Sequence, residues 1–142
     1  MAVSRIFWDT NLFIYLFEGR GPQFEHVRRL RQSMLARSDQ LVTSALTLGE
    51  VLVKPIEEGD HELRRNYEEA ITSTALVIPF DAPAARIFAA LRTDRSLRPP
   101  DAIQLACAAH ARVDLFITND ARLQSKHVDG IQFIVTLDRA PL

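Results

Sequence analysis

The sequence lacks several features that define common protein classes. It has one cysteine, Cys107, in 142 residues, which excludes an internal disulfide. Its Cys and His residues do not have the spacing of a zinc site, and no apolar run approaches the roughly 18 residues that span a bilayer. The first apolar run is broken by Asp9 and Asn11, unlike that of a signal peptide. We therefore expect a protein of a reducing compartment, the cytoplasm, with no membrane segment.

The chain also lacks an excess of charge of one sign. Its formal net charge is -1 at pH 7, so bulk electrostatics gives no argument for binding nucleic acid. Lysine is nearly absent, with only Lys54 and Lys126, and arginine supplies the other basic residues. Arginine suits bidentate contacts with phosphate or carboxylate groups. The length predicts a single domain, 1–142, and an apolar fraction of 47% is typical of a globular protein.

What the sequence does contain is a regular alternation of short apolar segments with helical patterns. We predict strands over residues 5–8, 40–43, 75–79, 115–118 and 131–136. Helices are predicted over 11–17, 23–37, 44–53, 60–73, about 81–91 and 102–111, with Pro55 ending the third of these. This alternation predicts an α/β fold with a five-stranded, mostly parallel sheet flanked by helices.

Four acidic residues fall near the edge where such a sheet binds ligands, beyond the carboxyl ends of its strands. Asp9 follows the first strand and Asp120 the fourth. Glu50 lies about two turns into the helix after the second strand, and Asp101 begins the helix that leads into the fourth strand. Taken singly, each aspartate could cap a helix, and Glu50 could lie on a solvated helix face.

Taken together, the four acids predict a cation site. Two carboxylates about 6 Å apart repel by roughly 3 kcal/mol at an effective dielectric near 20. A converging cluster must therefore take up protons, recruit basic side chains or bind a multivalent cation. Oxygen ligands favour Mg²⁺ or Mn²⁺. Such a cation can activate a water and neutralise charge on a phosphodiester.

Four short segments carry a family resemblance: "FWDTN" at 7–11, "TSALTLGEVL" at 43–52, "PPDAIQLACAA" at 99–109 and "FITND" at 116–120. In this order and spacing they resemble the PIN-domain ribonucleases, in particular the VapC-type toxins of toxin–antitoxin pairs. The resemblance covers nearly the whole chain. It implies a three-layer PIN-like fold and metal-dependent cleavage of RNA that leaves a 5′-phosphate and a 3′-hydroxyl. It also implies a homodimer and a small antitoxin that covers or enters the acidic groove.

The resemblance also implies roles for individual residues. Our hypothesis is that Asp9, Glu50 and Asp101 hold the principal Mg²⁺ and that Asp120 helps to bind a second metal or orients the water. The supporting polar positions of the family fall on Asn11 and Thr118, with Thr10 as a further candidate. Thr118 would then hydrogen-bond a ligand carboxylate.

The substrate contacts and the alternatives are less closely defined. Arg98 and Arg20 are candidates for holding the RNA strand, although each could equally be a solvated arginine. A phosphatase of the haloacid-dehalogenase type would need a second aspartate where Asn11 stands, and a receiver domain would need a lysine in a place that Lys126 does not occupy. A stand-alone RNA-processing nuclease and a non-catalytic PIN-like binding module stay open.

Overall fold

A computed structural model describes residues 4–141 of the chain, so the ends of the predicted domain, 1–3 and 142, lie outside the described residues. The strands are β1 (Arg5–Trp8), β2 (Gln40–Ser44), β3 (Leu76–Ile78), β4 (Leu115–Thr118) and β5 (Phe133–Thr136). The helices are α1 (Thr10–Glu18), α2 (Pro22–Arg37), α3 (Ala45–Glu57), α4 (His61–Thr74), α5 (Ala82–Leu91) and α6 (Pro99–His110). Two 3₁₀ turns, Ala121–Leu123 and Leu137–Arg139, follow β4 and β5.

The five strands form one sheet in the order β3-β2-β1-β4-β5. All of its strand pairs between residues 4 and 141 are parallel, which confirms the predicted α/β fold and makes the sheet more regular than the expected mostly parallel one. β1 is the central strand, with Ile6 in register with Leu41 on one side and Leu115 on the other. The residue after β1 therefore emerges in the middle of the carboxyl edge of the sheet.

Helices cover both faces of the sheet and produce three layers. On one face Phe7 stacks on Phe116 with ring centroids 4.9 Å apart, and α5 and α6 pack over them. On the other face Ile6 and Trp8 are fully buried beneath α1 and α2. Burying each such side chain contributes about 1.5–3 kcal/mol. The alternation of β1 between the two cores fixes its register, because a slip of one residue would exchange the faces.

Three predicted boundaries were wrong. α3 continues through Pro55 to Glu57 rather than stopping there; Pro55 is buried on the same face as Val51, and this packing offsets the hydrogen bond that a proline cannot donate. α6 begins at Pro99 rather than at residue 102, because proline is favourable in the first helical turn. β3 starts at residue 76, since the amide of Ala75 still bonds to Ile71 O and ends α4.

The other differences are small. β5 covers residues 133–136 of the predicted 131–136, and the amide of Gln132 bonds instead to the Val113 carbonyl. Within residues 4–141, no helix has the length and apolar character that crossing a membrane requires.

Candidate active site

Asp9 is held at the junction of β1 and α1. Its amide donates to Ile117 O over 3.0 Å, and its Oδ1 accepts from the amide of Thr10 over 2.8 Å, so it caps α1 as well as facing the sheet edge. Thr118 Oγ1, at the end of the neighbouring strand β4, donates to Asp9 Oδ2 over 2.8 Å. The predicted support of an acidic site residue by Thr118 is therefore present as a hydrogen bond.

Burial raises the pKa of the Asp9 carboxyl above its ordinary value. Hydrogen bonds from Thr118, the Thr10 amide and Gln104 act in the opposite direction, and the nearby charge of Glu50 raises the pKa further. The direction of this shift follows from burial of the carboxylate, which its hydrogen bonds offset only in part.

Glu50 reaches the same place from α3. It is exposed, and its Oε1 accepts from Thr10 Oγ1 over 2.6 Å. Thr10 Oγ1 also lies 3.1 Å from Thr47 Oγ1. Because a threonine hydroxyl has one proton and Thr10 gives its own to Glu50, Thr47 must be the donor in this second contact. Thr10 thus connects the glutamate to buried polar groups beneath the site.

Gln104 lies at the centre of those buried groups. Ser44 Oγ donates to its Oε1, which directs its Nε2 towards the site. From there Nε2 contacts Thr47 Oγ1 at 2.8 Å, Thr10 Oγ1 at 3.1 Å and Asp9 Oδ1 at 3.2 Å. These contacts link α6 and α3 to the β1–α1 junction and hold Asp9 and Thr10 in place.

The sequence interpretation missed Gln104, although a signal was present. It is the one polar residue in the apolar segment 102–109, and it lies one turn after Asp101 on the same face of α6. A buried amide in such a segment has to find hydrogen-bond partners, and the nearest available ones are at the sheet edge.

Asp101 and Asp120 face each other across the other side of the site and are bridged by two arginines. Arg122 Nη2 lies 2.5 Å from Asp120 Oδ2 and 3.8 Å from Asp101 Oδ2. Arg98 lies farther away, at 3.5 Å from Asp101 and 3.7 Å from Asp120. The hydrogen bond from Arg122 is the main cause of the lowered pKa of Asp120. Arg122 was also missed by the sequence interpretation.

The two aspartates differ in how they are held. Asp120 caps the 3₁₀ turn Ala121–Leu123, and its amide donates to Thr118 Oγ1 over 3.0 Å. Asp101 lies in the first turn of α6, where Arg98 is the capping residue, so the alternative that Asp101 caps this helix is wrong. The Oδ2 atom of Asp101 is buried and has no hydrogen-bond partner. Its nearest cationic atoms are Arg98 Nε at 3.5 Å and Arg122 Nη2 at 3.8 Å, so this buried oxygen has long ion pairs but no hydrogen bond to offset its burial.

A cavity of about 460 Å³ brings all four predicted acids together. Its lining consists of Asp9, Thr10, Asn11, Ile14, Glu50, Val53, Arg98, Pro100, Asp101, Gln104 and Asp120. Asn11 and Arg98 therefore reach the cavity as expected, and their supporting and RNA-binding roles stay predictions. Arg20 is exposed in the loop after α1 and is not part of this lining; its contact with RNA also stays a prediction.

The carboxylates share the cavity without forming a closed ligand shell. Among the described residues, no group of three or more His, Cys, Asp or Glu side chains is close enough together to hold a metal ion. The donor set is nevertheless all oxygen, which is the chemistry that Mg²⁺ and Mn²⁺ prefer. The Asp101 oxygen that has ion pairs but no hydrogen bond and the raised pKa of Asp9 both fit a site that gains from an added cation.

An all-parallel sheet with a carboxylate-lined cavity beyond its strand ends defines an α/β protein whose candidate site lies at the edge where such sheets bind ligands. The family model for the PIN domain matches residues 6–128. The chain therefore belongs to the PIN domain family, and the predicted resemblance is confirmed at that level. No significant match was found among curated proteins.

Several solved structures are similar to this chain. A chain of a toxin–antitoxin complex from Klebsiella pneumoniae is 28% identical with a TM-score of 0.66, covering 89% of this chain and 94% of that chain. A chain of DNA-bound VapBC from Salmonella typhimurium is 22% identical with a TM-score of 0.72, and the match covers 95% of this chain and 99% of that chain. A chain of VapBC2 from Rickettsia felis bound to a promoter DNA fragment is 14% identical with a TM-score of 0.73, and the match covers 93% of this chain and 98% of that chain. At these last two identities the similarity is one of fold.

Proposed function

We propose that this protein is a Mg²⁺- or Mn²⁺-dependent endoribonuclease that acts as the toxin of a toxin–antitoxin pair. The observation that carries the proposal is the convergence of Asp9, Glu50, Asp101 and Asp120 in one cavity at the carboxyl edge of the sheet. Membership of the PIN domain family and the likeness to a chain of a toxin–antitoxin complex support the same assignment.

The four carboxylates would hold the divalent cation. A bound cation of this kind lowers the pKa of a water and neutralises charge on a phosphodiester, which are the two needs of RNA hydrolysis. The residues of the chain would prepare its ligands. Thr118 and Gln104 orient Asp9, and Thr10 orients Glu50. Hydrogen bonds to ligand carboxylates typically decide metal affinity by a factor of about 10–100.

The substrate would enter from the open side of the cavity. Arg98 is 65% exposed along its side chain at the cavity wall, and its ion pairs with Asp101 and Asp120 are long, at 3.5 and 3.7 Å, so its guanidinium would exchange them for an RNA phosphate. Bidentate contacts of arginine with phosphate give both charge and orientation. Hydrolysis would leave a 5′-phosphate and a 3′-hydroxyl, as in the family that the motifs resemble.

An antitoxin is the proposed protein partner. Val53 lines the cavity and is 51% exposed, and Ile56 on the next turn of α3 is 59% exposed. Apolar side chains beside an acidic cavity suit a partner that brings both an apolar segment and a basic residue. A homodimer is part of the same proposal, and sedimentation of the purified protein would test it.

One observation favours a second candidate, a PIN-like binding module without catalysis. Arg122 and Arg98 already neutralise Asp101 and Asp120 in part, so the site has some internal counter-charge without a metal. Metal binding separates the two candidates, because the module would bind no divalent cation at this cavity.

The test is cleavage of a labelled RNA mixture by purified protein in Mg²⁺, in Mn²⁺ and in EDTA. Cleavage should require the cation and should fall more than about 100-fold in Asp9→Asn and in Glu50→Gln, since each change weakens a ligand rather than its support. Both replacements keep the size of the side chain, so circular dichroism should show intact folding. Arg28→Ala, on the exposed face of α2, is the control and should cleave normally.

Cleavage that persists in EDTA, or Asp9→Asn with normal activity, would contradict the nuclease proposal. The toxin assignment has its own test: expression should arrest growth, and co-expression of a small antitoxin gene, if one is encoded beside it, should relieve the arrest. Active enzyme without arrest would favour a stand-alone RNA-processing nuclease.

A further inference from the structure

Arg122, which is not part of the cavity lining, makes the shortest ion pair with one of the acids that line it. Its guanidinium bonds Asp120 through two atoms, with Nε 3.0 Å from Oδ1 and Nη2 2.5 Å from Oδ2. The same Nη2 atom is 3.8 Å from Asp101 Oδ2. Arg98 is nearby, at 3.5 and 3.7 Å from the two aspartates, but its contacts are ion pairs longer than a normal hydrogen bond. Arg122 is therefore the main internal counterion of this half of the site.

The oxygens that Arg122 occupies are also among those that the proposed metal would need. Both oxygens of Asp120 accept from its guanidinium, and Oδ2 of Asp101, which accepts no hydrogen bond, is 3.8 Å from its Nη2. A guanidinium and a divalent cation at the same carboxylates repel each other and compete for the same lone pairs. A cation that approaches Asp120 therefore meets the guanidinium of Arg122 on both carboxylate oxygens.

We propose that Arg122 competes with the divalent cation for Asp120 and Asp101, and that its displaced guanidinium then holds an RNA phosphate at the mouth of the cavity. The inference rests on the proposed function and adds to it a residue that positions the substrate only after the cation is bound. Metal-free protein would thus keep the Asp101 and Asp120 half of its acidic site neutralised and its phosphate-binding group occupied.

The structure allows the arginine to move while the carboxylate stays in place. The side chain of Arg122 is 55% exposed, against 25% for that of Asp120. The backbone holds Asp120 from two sides: its amide donates to Thr118 Oγ1, and its Oδ1 caps the amide of residue 122 over 3.0 Å. Arg122 lies two residues after Asp120, which lines the cavity, and the planar fork of an arginine matches phosphate geometry.

The experiment measures Mn²⁺ affinity by calorimetry and melting temperature in EDTA and in Mn²⁺, for wild type, Arg122→Ala, Arg98→Ala and Arg28→Ala. Arg122→Ala should bind Mn²⁺ about two- to fivefold more tightly, the effect of losing one exposed ion pair. Its melting temperature should rise more on adding Mn²⁺ than that of wild type. Arg98→Ala should show a smaller gain, and Arg28→Ala, which loses a comparable ion pair with Glu25 on α2, should show none.

RNA gives the second measurement. At saturating Mn²⁺, single-turnover cleavage by Arg122→Ala should be slower by about tenfold or more, the effect of a lost charge-assisted hydrogen bond. Tighter metal binding with slower cleavage is the combination that a merely structural role for Arg122 would not produce.

Unchanged or weaker Mn²⁺ affinity in Arg122→Ala would overturn the competition, and undiminished cleavage would overturn the phosphate contact. In either case a wild-type protein that binds Mn²⁺ and cleaves RNA would leave the proposed function standing. A wild-type protein that does neither would overturn both.

Discussion

Gln104 on α6 donates from Nε2 to Asp9 Oδ1 over 3.2 Å, although 95 residues separate the two in the chain. The contact connects the helix that carries Asp101 to the strand end that carries Asp9. It also occurs in the interior, where Gln104 is 3% exposed. A single amide therefore sets the relative position of two of the four carboxylates.

Replacing Gln104 by leucine should reduce both stability and activity. Leucine keeps the approximate volume but leaves Ser44 Oγ without its acceptor and Asp9 without one donor, at a cost of about 1–3 kcal/mol in the free energy of unfolding. RNA cleavage should fall about 10–100-fold, as for other residues that orient metal ligands. Urea unfolding and a cleavage assay measure the two effects.

Gln132→Leu is the control, because Gln132 is exposed before β5. It should change neither quantity appreciably. Normal activity in Gln104→Leu would show that Asp9 does not depend on this amide.

Thr118→Val should show whether the hydroxyl of Thr118 supports metal binding and cleavage in addition to the stability of the fold. The hydroxyl of Thr118 both donates to Asp9 Oδ2 and accepts from the amide of Asp120, so valine removes a contact from each carboxylate residue. We expect Mn²⁺ affinity or cleavage to fall about 10–100-fold. Thr118→Ser, which keeps the hydroxyl, should restore most of the loss.

The matched control is Thr43→Val in the neighbouring strand β2. Thr43 is fully buried and donates to the Trp8 carbonyl, so its loss should destabilise the fold by a comparable amount. Mn²⁺ affinity should stay normal in that variant. Equal effects of both valines on metal affinity would argue against a specific role for Thr118.

The main plan of the site could be predicted because topology determines it. A residue that directly follows a buried parallel strand must lie at the carboxyl edge of the sheet, which placed Asp9 and Asp120 before any coordinates were known. The direction of α3 then brings Glu50 over the same edge. The position of Asp101 depends on how α6 packs against the rest of the fold, which the local sequence pattern does not determine.

The details that were missed depend on side-chain contacts between distant segments. Gln104 has its role because Ser44 and Thr47 lie opposite it, 60 and 57 residues away along the chain. Arg122 was missed because nothing in the local pattern distinguishes a solvated arginine from one that faces two aspartates. The predicted end of α3 at Pro55 was wrong because burial of the helix face outweighed the local rule that proline ends a helix.

Asp94 should give a pH dependence at the acid end of the stability curve. Hydrogen bonds from Ser96 and from Lys126 lower the pKa of its carboxyl from 3.8 to about 2. A carboxyl whose pKa is lowered by folding stabilises the protein above its unfolded pKa, and this contribution disappears as the pH falls from about 3.8 to about 2. The melting temperature of wild type should therefore exceed that of Asp94→Asn at pH 6 and approach it at about pH 2.

The effect should be small and should decrease with added salt, because the group is exposed to solvent. Asp129→Asn, also exposed, is the control. A difference between wild type and Asp94→Asn that grows as the pH falls would contradict the assignment.

Gly130→Ala should lower the free energy of unfolding more than Gly19→Ala does. Both residues have positive φ, 96° at Gly130 and 71° at Gly19. A Cβ at Gly130 would lie 2.6 Å from the Ala109 carbonyl oxygen, whereas at Gly19 it would meet nothing within 4 Å. Gly19→Ala should therefore cost about 1–2 kcal/mol from backbone strain alone, and Gly130→Ala clearly more, because the end of α6 must also shift. Urea unfolding measures both, and equal costs would show that Ala109 yields without strain.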